Sequence, residues 1–280
     1  MTDTIAAAFG IPAYIRRLER FGVGSFDTLE PEKKSARIRA IMERRKPIHH
    51  VPIFSVIVPM HKETRYLLAT LRSLAEQKNE NVEFIIISNG EPIGNPTMRL
   101  AEASGFRVIH ERKPGVGRAR QIGLEAARGQ IIVTTDGDTL QPKKWLDAIE
   151  AEWEAVPNLV GGFGRVYALS DSVFYHFCAQ VQNVSRSVLG TNFFFCAAEA
   201  NTWFLREAAL QVGGYNTNIT YAEGAMLMRK LAEIGEIRRS EAEDAAVYTS
   251  DRRDMTERIK AVTQFLITAN PKEVRYEVMR

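Results

Sequence analysis

Two aspartates separated by a single glycine carry the most specific chemical signal in the sequence. Asp136 and Asp138 directly follow an apolar run that ends in two threonines. Hard divalent cations such as Mn²⁺ and Mg²⁺ prefer oxygen ligands, and they usually complete their coordination with substrate phosphates and water. Gly137 permits a tight turn and a close approach of the ligand to the backbone. These residues indicate a Mn²⁺ or Mg²⁺ site for a diphosphate, while an Asp-Gly turn with a capping carboxylate is the alternative.

A glycine-containing loop that opens a helix lies just upstream of the aspartates. The segment from Gly115 to Arg120 combines a flexible loop, a helix N-terminus and the guanidinium groups of Arg118 and Arg120. Helix N-termini and arginines both favour a phosphate anion. An ordinary loop before a solvent-facing helix is the alternative for this segment alone. Because the two signals occur together and in this order, we favour a diphosphate site.

The elements that must position these residues alternate between apolar runs and amphipathic stretches. We predict buried strands at residues 53–58, 82–87, 107–109 and 131–135, the first of them stopped by Pro59. Leucines at helical spacing predict a helix between the first two strands, and another helix from Arg118 to Arg128 is predicted to end with Gly129 as its C-cap. This order is typical of a doubly wound α/β fold. Ligands of such folds bind beyond the carboxyl ends of the strands, so residues 59–63, 88–91 and 136–138 should line one crevice.

Composition limits the classes of partner. The chain has 280 residues, of which 45% are hydrophobic and 25% charged, which is enough for a globular core. A net charge of +3 is too small to indicate nucleic-acid binding. The chain lacks an apolar run of about 18 residues and a secretory pattern, so we expect a cytoplasmic protein. Basic residues between Lys33 and Lys46 could contact anionic lipid at the inner face of a membrane, but a solvated helix face is the preferred interpretation.

Further motifs complete a pattern that spans residues 56–253. They are an opening strand with Pro59 to Glu63, the stretch Gly117 to Gly123 with Ala127-Arg128-Gly129, Asp136 to Asp138 with Pro142 and Trp145-Leu146, and Asn201 to Arg206 with Gly213-Gly214-Tyr215. In this order they resemble the family 2 glycosyltransferases, from which Gln121 departs by replacing the usual Asn. The resemblance implies the GT-A fold, an α/β fold with a Rossmann-like mixed β-sheet flanked by helices in a single catalytic domain.

The resemblance also implies how the chain is divided. Residues 1–50 are expected to form an N-terminal helical extension and residues 255–280 a C-terminal extension. The GT-A domain would occupy residues 51–254. Within it, residues 51–150 are expected to bind the nucleotide sugar and residues 151–254 the acceptor.

An inverting sugar transfer is the reaction that the resemblance implies. A carboxylate base removes a proton from an acceptor hydroxyl, which attacks the anomeric carbon while a metal held by Asp136 and Asp138 binds the leaving diphosphate. The base position holds Glu223, preceded by Ala222 where another acid is usual. An N-cap or first-turn acid that stabilises the helix dipole is the alternative for Glu223. Because glutamate is one methylene longer than the usual aspartate, Glu199 and Asp244 remain further candidates for the base.

The same resemblance assigns a set of residues to the donor. They are Pro59, Glu63, Asn89, Gly117, Arg120, Asp136 and Arg252. For Arg252, the solvated start of a final helix is an equally good interpretation. Arg120 would help the metal to neutralise the leaving diphosphate. Asn89 replaces an acidic residue that reads the nucleobase, so the nucleotide stays open, with a UDP-sugar favoured. Asp251 or water would complete the coordination of the metal.

Two other classes of function stay open. A nucleotidyltransferase could use similar carboxylates, but it would carry a Gly-rich basic loop where this chain has residues 59–63. A relative that binds a nucleotide sugar without turnover is the second alternative, because the base region is altered. For a transferase, the acceptor would be a sugar, a lipid-linked molecule or a small molecule, in polysaccharide or glycoconjugate biosynthesis. A homo-oligomer is compatible with the sequence.

Overall fold

The computed structural model describes residues 29–61, 66–169, 199–219 and 223–250, and the structural statements below concern these residues. The ten strands are β1 Phe54–Met60, β2 Val82–Asn89, β3 Arg107–Glu111, β4 Ile131–Thr134, β5 Thr139–Leu140, β6 Leu159–Phe163, β7 Val166–Ala168, β8 Thr202–Leu205, β9 Glu236–Arg239 and β10 Val247–Thr249. The helices are α1 Pro31–Met42, α2 Leu67–Ala75, α3 Pro96–Ala103, α4 Val116–Ala126, α5 Trp145–Ala155, α6 Arg206–Gln211 and α7 Glu223–Ala232, with short 3₁₀ helices at Glu199–Asn201 and Glu243–Ala245.

Seven of the strands form one mixed sheet in the order β3-β2-β1-β4-β8-β6-β9. The first four strands in this order are parallel. Strand β8 is antiparallel to both β4 and β6, and β9 is parallel to β6. The sheet is therefore parallel where the strongest apolar runs occur and mixed in the second half of the chain.

Helices cover both faces of this sheet, and alternate residues of a strand pack into the core on opposite faces. Phe54, Val56 and Val58 of β1 pack with residues of α1, α2, α3 and α5, whereas Ile57 packs with residues of α4, α6 and α7. Successive side chains of a strand point to opposite faces, so a strand covered on both faces is apolar throughout. This explains why the predicted buried strands read as nearly continuous apolar runs.

A second sheet of three strands has the order β5-β10-β7. Strand β10 pairs antiparallel with β5 and parallel with β7. Because β5 follows Asp138 and β10 precedes Ser250, this small sheet brings these two residues together.

The predicted end of β1 is wrong, because the strand runs through Pro59 to Met60. The carbonyl of Ile57 accepts a hydrogen bond from the backbone N–H of Thr135, so the backbone polar groups of Ile57 point towards β4. The pairing of β1 with β4 ends at this position. Pro59 lies two residues further along β1, so its backbone nitrogen points to the same side, beyond the end of β4. A proline is tolerated there because no partner strand needs its missing N–H.

Gly129 is not the C-cap that the pattern predicts. Helix α4 ends at Ala126, its C-cap is Ala127 in an extended conformation, and Gly129 has no positive φ. A Cβ at Gly129 would lie 2.5 Å from the backbone nitrogen of Ser55. Glycine is therefore required at this position by the close approach of two backbones.

Helix α1 is packed onto the domain rather than projecting from it. Ile38 is fully buried in the core, and Ser35 hydrogen-bonds Ser104 across a distance of 3.0 Å. Within the basic cluster, Arg45 departs from the expected solvated face. Its guanidinium donates hydrogen bonds to the carbonyls of Ala75, at 3.2 Å, and of two further residues that follow α2. Across the described ranges, no helix is long and apolar enough to cross a membrane.

Candidate active site

The carboxyl ends of the parallel strands bring the predicted crevice segments together. The end of β1 pairs with the end of β2, with Met60 opposite Ser88. His61 then donates a hydrogen bond from Nδ1 to the carbonyl of Asn89 at 2.8 Å. The side chain of Asn89 is buried, and its Oδ1 accepts a hydrogen bond of 2.7 Å from the backbone of Gly115. Asn89 thus fixes the loop that opens α4.

Asp136 and Asp138 lie at the end of β4, as their position in the sequence predicts. Thr70 of α2 donates a hydrogen bond of 3.0 Å to the carbonyl of Gly137, which fixes the turn between them. Asp138 is buried, and its Oδ2 accepts a hydrogen bond of 2.5 Å from Ser250. Asp136 is less buried, with 28% of its side chain exposed, so its carboxylate is the more accessible of the two.

The donor set fits a hard cation only if other oxygen ligands contribute. Two aspartate carboxylates have the chemistry that Mn²⁺ and Mg²⁺ prefer. In the part of the chain that the structure covers, no group of three or more His, Cys, Asp or Glu side chains could hold a metal ion. A metal at Asp136 and Asp138 would therefore depend on oxygens of a bound phosphate, on water or on residues outside the described ranges. The predicted Asp251 lies outside them.

Arg120 is the centre of the site. It projects from α4 and is buried, with 3% of its side chain exposed. Its Nη2 donates a hydrogen bond to Asp136 Oδ1 at 2.8 Å, and its Nη1 donates to Glu223 Oε1. Its Nε lies 3.2 Å from Glu199 Oε2, close enough for an ion pair. One guanidinium thus joins three carboxylates, which come from the end of β4, a 3₁₀ helix and the start of α7.

Glu199 is held by two elements besides Arg120. Thr134 at the end of β4 donates a hydrogen bond to the Glu199 carbonyl at 2.8 Å, and the phenol of Tyr215 donates to its Oε2 at 3.2 Å. Tyr215 follows two glycines, Gly213 and Gly214, whose φ values are 88° and 65°. This turn ends α6 and directs the Tyr215 ring into the site, because glycine adopts positive φ at little cost.

Three carboxylates around one buried guanidinium shift the protonation equilibria of the site. Burial raises the pKa of Glu199 to about 7, and the carboxylates of Glu223 and Asp136 add to this rise, while Arg120 opposes it. Burial by itself would lower the pKa of Arg120, but the three carboxylates outweigh it and raise that pKa. Burial also raises the pKa of Tyr215 well above its usual range, so the phenol remains a hydrogen-bond donor. The site therefore retains a proton on Glu199 near neutral pH more readily than an exposed glutamate would.

Gly117 allows the start of α4 to meet the start of α7. A Cβ at this position would lie 2.8 Å from the carbonyl oxygen of Asn216 and 3.4 Å from the Cβ of Glu223. A larger residue would push the two helix starts apart. Gly117 thus contributes to the site through close packing.

The remaining predicted residues fall in different places. Pro59 lies in β1, and Asp244 is exposed on the second 3₁₀ helix, apart from the partners of Arg120. Glu63 and Arg252 lie outside the described residues. Trp203, which the sequence pattern places in the acceptor half, is fully buried in β8 and packs in the core. It is therefore a core residue and does not contact an acceptor.

Three polar residues at this edge were given no individual role by the sequence, although His61 and Glu91 lie within the segments predicted to line the crevice. His61 Nδ1 lies 3.4 Å from Glu91 Oε1, and Glu91 is itself buried. Ser250 pairs with Asp138 through both its backbone and its side chain. The position of His61 and Glu91 directly after β1 and β2 was the available signal, whereas nothing in the sequence links Ser250 to an aspartate 112 positions away.

Solved structures that superpose on this chain include glycosyltransferases. Residues 1–349 of TarS from S. aureus, solved with UDP-GlcNAc, superpose with a TM-score of 0.59 at 15% identity, over 73% of this chain and 60% of that TarS chain. The mannosyltransferase PcManGT from Pyrobaculum calidifontis, solved with GDP-Man and Mn²⁺, gives a TM-score of 0.60 at 20% identity, over 99% of this chain and 78% of PcManGT. At these identities the likeness establishes the fold, and it confirms the predicted GT-A architecture.

The sequence itself establishes the family. The model of the family described as glycosyl transferase family 2 matches residues 55–234, more than half of the chain, and the chain belongs to this family. The putative glycosyltransferase EpsH of Bacillus subtilis is 34% identical over 90 residues, and the uncharacterized glycosyltransferase EpsJ of the same organism is 33% identical over 130 residues. These matches cover 31% and 45% of this chain, but only 26% and 37% of the two relatives.

Proposed function

We propose that the protein is an inverting glycosyltransferase that moves a sugar from a nucleotide-sugar donor to an acceptor hydroxyl with the help of Mn²⁺ or Mg²⁺. The observation that carries this proposal is the bridge made by Arg120. Its guanidinium hydrogen-bonds Asp136 of the candidate metal motif and Glu223 at the candidate base position. The residues proposed for the two halves of the reaction are therefore in contact with one side chain.

Glu223 would act as the general base. It would accept the proton of the acceptor hydroxyl while the hydroxyl oxygen attacks the anomeric carbon and the bond from that carbon to the diphosphate breaks. The base must be ionised to do this, and the ion pair with Arg120 stabilises the ionised form of Glu223. Its place at the start of α7 further favours a negative charge, because the helix N-terminus carries a partial positive charge.

Asp136 and Asp138 would hold the metal ion together with the diphosphate of the donor. A bound Mn²⁺ or Mg²⁺ would supply charge neutralisation for the leaving diphosphate. Ser250 orients Asp138, and Thr70 fixes the turn between the two aspartates. The burial of Arg120 among three carboxylates favours a bridging role for this residue over the direct contact with the diphosphate that the family resemblance implies.

For the donor and the biosynthetic process, we propose only a general class. Relatives in fold were solved with UDP-GlcNAc and with GDP-Man, so both uridine and guanosine donors are candidates, with a UDP-sugar favoured. One family member that resembles part of this chain is a poly(ribitol-phosphate) β-N-acetylglucosaminyltransferase of Staphylococcus aureus. A role in polysaccharide or glycoconjugate biosynthesis is consistent with such relatives. The acceptor would be a sugar, a lipid-linked molecule or a small molecule.

A donor-turnover assay tests this proposal without knowledge of the acceptor. The full chain is incubated with UDP-, GDP-, dTDP- and CDP-sugars, with and without Mn²⁺, and release of the nucleoside diphosphate is measured. Water takes the place of the acceptor hydroxyl and receives the sugar. We expect metal-dependent release from one class of donor. Glu223→Gln should lower the rate by about 100-fold or more, because it removes the proton acceptor and keeps the size of the side chain.

Glu233→Gln is the matched control, since Glu233 is exposed just beyond α7. Its rate should equal that of the wild type. Binding of a nucleotide without release from any donor would favour the alternative of a relative that binds without turnover. Equal rates for Glu223→Gln and the wild type would show that Glu223 is not the base.

A further inference from the structure

The side chain of Glu199 packs closely against the first turn of α7, the helix that carries Glu223. Helix α7 begins with Glu223, and Gly224 is its second residue. A Cβ built on Gly224 would coincide with the carboxylate of Glu199. Glycine weakens a helix relative to alanine, so its presence at this position needs a reason. The close approach of the Glu199 carboxylate to the first turn of α7 is that reason.

The backbone and side chain of Glu199 are fixed from several directions. Its carbonyl accepts a hydrogen bond of 2.8 Å from Thr134, two residues before Asp136. Its Oε2 accepts a hydrogen bond from Tyr215 at 3.2 Å and lies 3.2 Å from Nε of Arg120. The hydroxyl of Thr134 also lies within hydrogen-bond distance of Glu199 Oε2, at 3.3 Å. The carboxylate is thus anchored to β4 and to the Gly-Gly-Tyr turn as well as to the guanidinium.

The contact with Arg120 determines what this anchoring does. The two terminal nitrogens of Arg120 are engaged by Asp136 and Glu223, so Glu199 faces the remaining nitrogen, Nε. Within the described residues Nε forms no hydrogen bond, so its contact with Glu199 is an ion pair alone. Rotation of the planar guanidinium would carry Nε away from Glu199 and weaken that ion pair. Glu199 therefore restricts the orientation of the Arg120 guanidinium, which contacts both Asp136 and Glu223.

We propose that Glu199 is a positioning residue, which orients Arg120 and, through Arg120 and the Gly224 contact, places the carboxylate of Glu223 for proton abstraction. This inference rests on the proposed function, because it needs Glu223 to act as the base. Glu199 itself makes no contact with the reacting atoms in this account. An error of about 1 Å in the position of a catalytic group can lower a rate by roughly 100-fold.

Four variants distinguish a positioning role of Glu199 from a role in packing alone. Glu199→Gln keeps the shape and removes the charge, Glu199→Ala removes both, and Gly224→Ala forces the carboxylate out of its place. The double variant Glu199→Ala with Gly224→Ala puts a methyl group where the carboxylate was. The measurements are the melting temperature, the affinity for the nucleoside diphosphate with Mn²⁺, and the rate and KM of donor turnover. All are made at about pH 8.5, because Glu199, with a pKa of about 7, is ionised there in the wild type.

We expect donor-turnover rates that are roughly 10- to 100-fold lower in all four variants, with nucleotide affinity and donor KM changed by less than about threefold because Asp138 is untouched. The double variant should recover the melting temperature lost in the two alanine variants but not the rate. If the rate returns together with the melting temperature, Glu199 serves packing alone and the proposal is overturned. Wild-type rates in Glu199→Gln would also overturn it.

A crystal structure of Glu199→Gln tests the geometry without any substrate. We expect Arg120 to lose its contact with Glu223, and an unchanged Arg120 would contradict the positioning role. If the wild-type chain binds no nucleotide and turns over no donor, the proposed function fails. The crystal structure would then still decide whether Glu199 orients Arg120.

Discussion

Replacement of Glu199 by glutamine should remove a specific pH dependence of the protein's stability. The carboxyl group is buried beside two other carboxylates, and its pKa rises from 4.5 to about 7 in the folded chain. The folded chain therefore holds this proton more tightly than the unfolded chain does. Its contribution to stability is fully present below pH 4.5 and is lost as the pH rises through about 7.

The size of the effect follows from the two pKa values. Each pKa unit corresponds to about 1.4 kcal/mol, so a rise from 4.5 to about 7 amounts to about 3 kcal/mol of stability lost between about pH 4.5 and pH 8. For a domain of roughly this size, 1 kcal/mol changes the melting temperature by about 2 to 4 °C. Glutamine resembles the protonated acid, so the melting temperature of Glu199→Gln should fall by about 6 to 12 °C less than that of the wild type over this range.

Urea unfolding followed by tryptophan fluorescence at about pH 5 and about pH 8 measures this difference. We expect Glu199→Gln to match the wild type within about 1 kcal/mol at pH 5 and to exceed it by up to about 3 kcal/mol at pH 8. Glu207→Gln, at an exposed position on α6, is the control and should follow the wild type at both pH values. If the stability difference between Glu199→Gln and the wild type is the same at the two pH values, the reasoning about the buried carboxylates is refuted.

Two further predictions concern the elements that support the site. Gly214→Ala should destabilise the chain by about 2 to 4 kcal/mol, because φ at Gly214 is 65° and the new methyl group would overlap the side-chain amide of Gln121. The control Gly213→Ala, with φ of 88° and open space around it, should destabilise the chain by about 1 kcal/mol. Equal losses of stability for the two variants in thermal unfolding would argue against the overlap. Arg45→Ala should cost about 2 to 4 kcal/mol, because its guanidinium hydrogen-bonds carbonyls of the α2–β2 connection. Arg44→Ala, at an exposed position, should change the midpoint of urea unfolding little, and a similar loss in both variants would contradict this assignment.

The parallel half of the fold could be predicted because its signals are local. Strands β1, β2 and β4 are buried on both faces, so each reads as a short apolar run between polar segments. The order of strands and helices then places their carboxyl ends at one edge. Strand β8 has four residues and lies antiparallel between β4 and β6. No local pattern specifies that direction, because it depends on the route of the chain between strands.

The two local errors arise from rules that apply to isolated elements. A proline usually ends a central strand, but Pro59 faces a position where the neighbouring strand has already ended. A glycine after a helix usually adopts a positive φ, but Gly129 is required by the backbone of β1 instead. In both cases the deciding contact comes from a different part of the chain.

The candidate site was predictable residue by residue, but its connections were not. The sequence points to Arg120, Asp136 and Glu223 separately, through their positions in motifs. It does not show that Arg120 joins the other two, because Glu223 lies 103 positions away. The place of Glu199 against Gly224 likewise depends on a contact between a 3₁₀ helix and the first turn of α7.

Nucleotide binding with and without metal tests the central claim most directly. Melting temperatures of the full chain are measured with UDP, GDP, dTDP and CDP, each with and without Mn²⁺, for the wild type, Asp138→Asn and the control Asp147→Asn on α5. We predict a rise for one nucleotide that needs Mn²⁺, corresponding to about 2.7 kcal/mol at 100 times the Kd, which Asp138→Asn loses and Asp147→Asn keeps. The absence of any rise, or a rise that Asp138→Asn retains in full, would contradict a metal-dependent donor site at the end of β4.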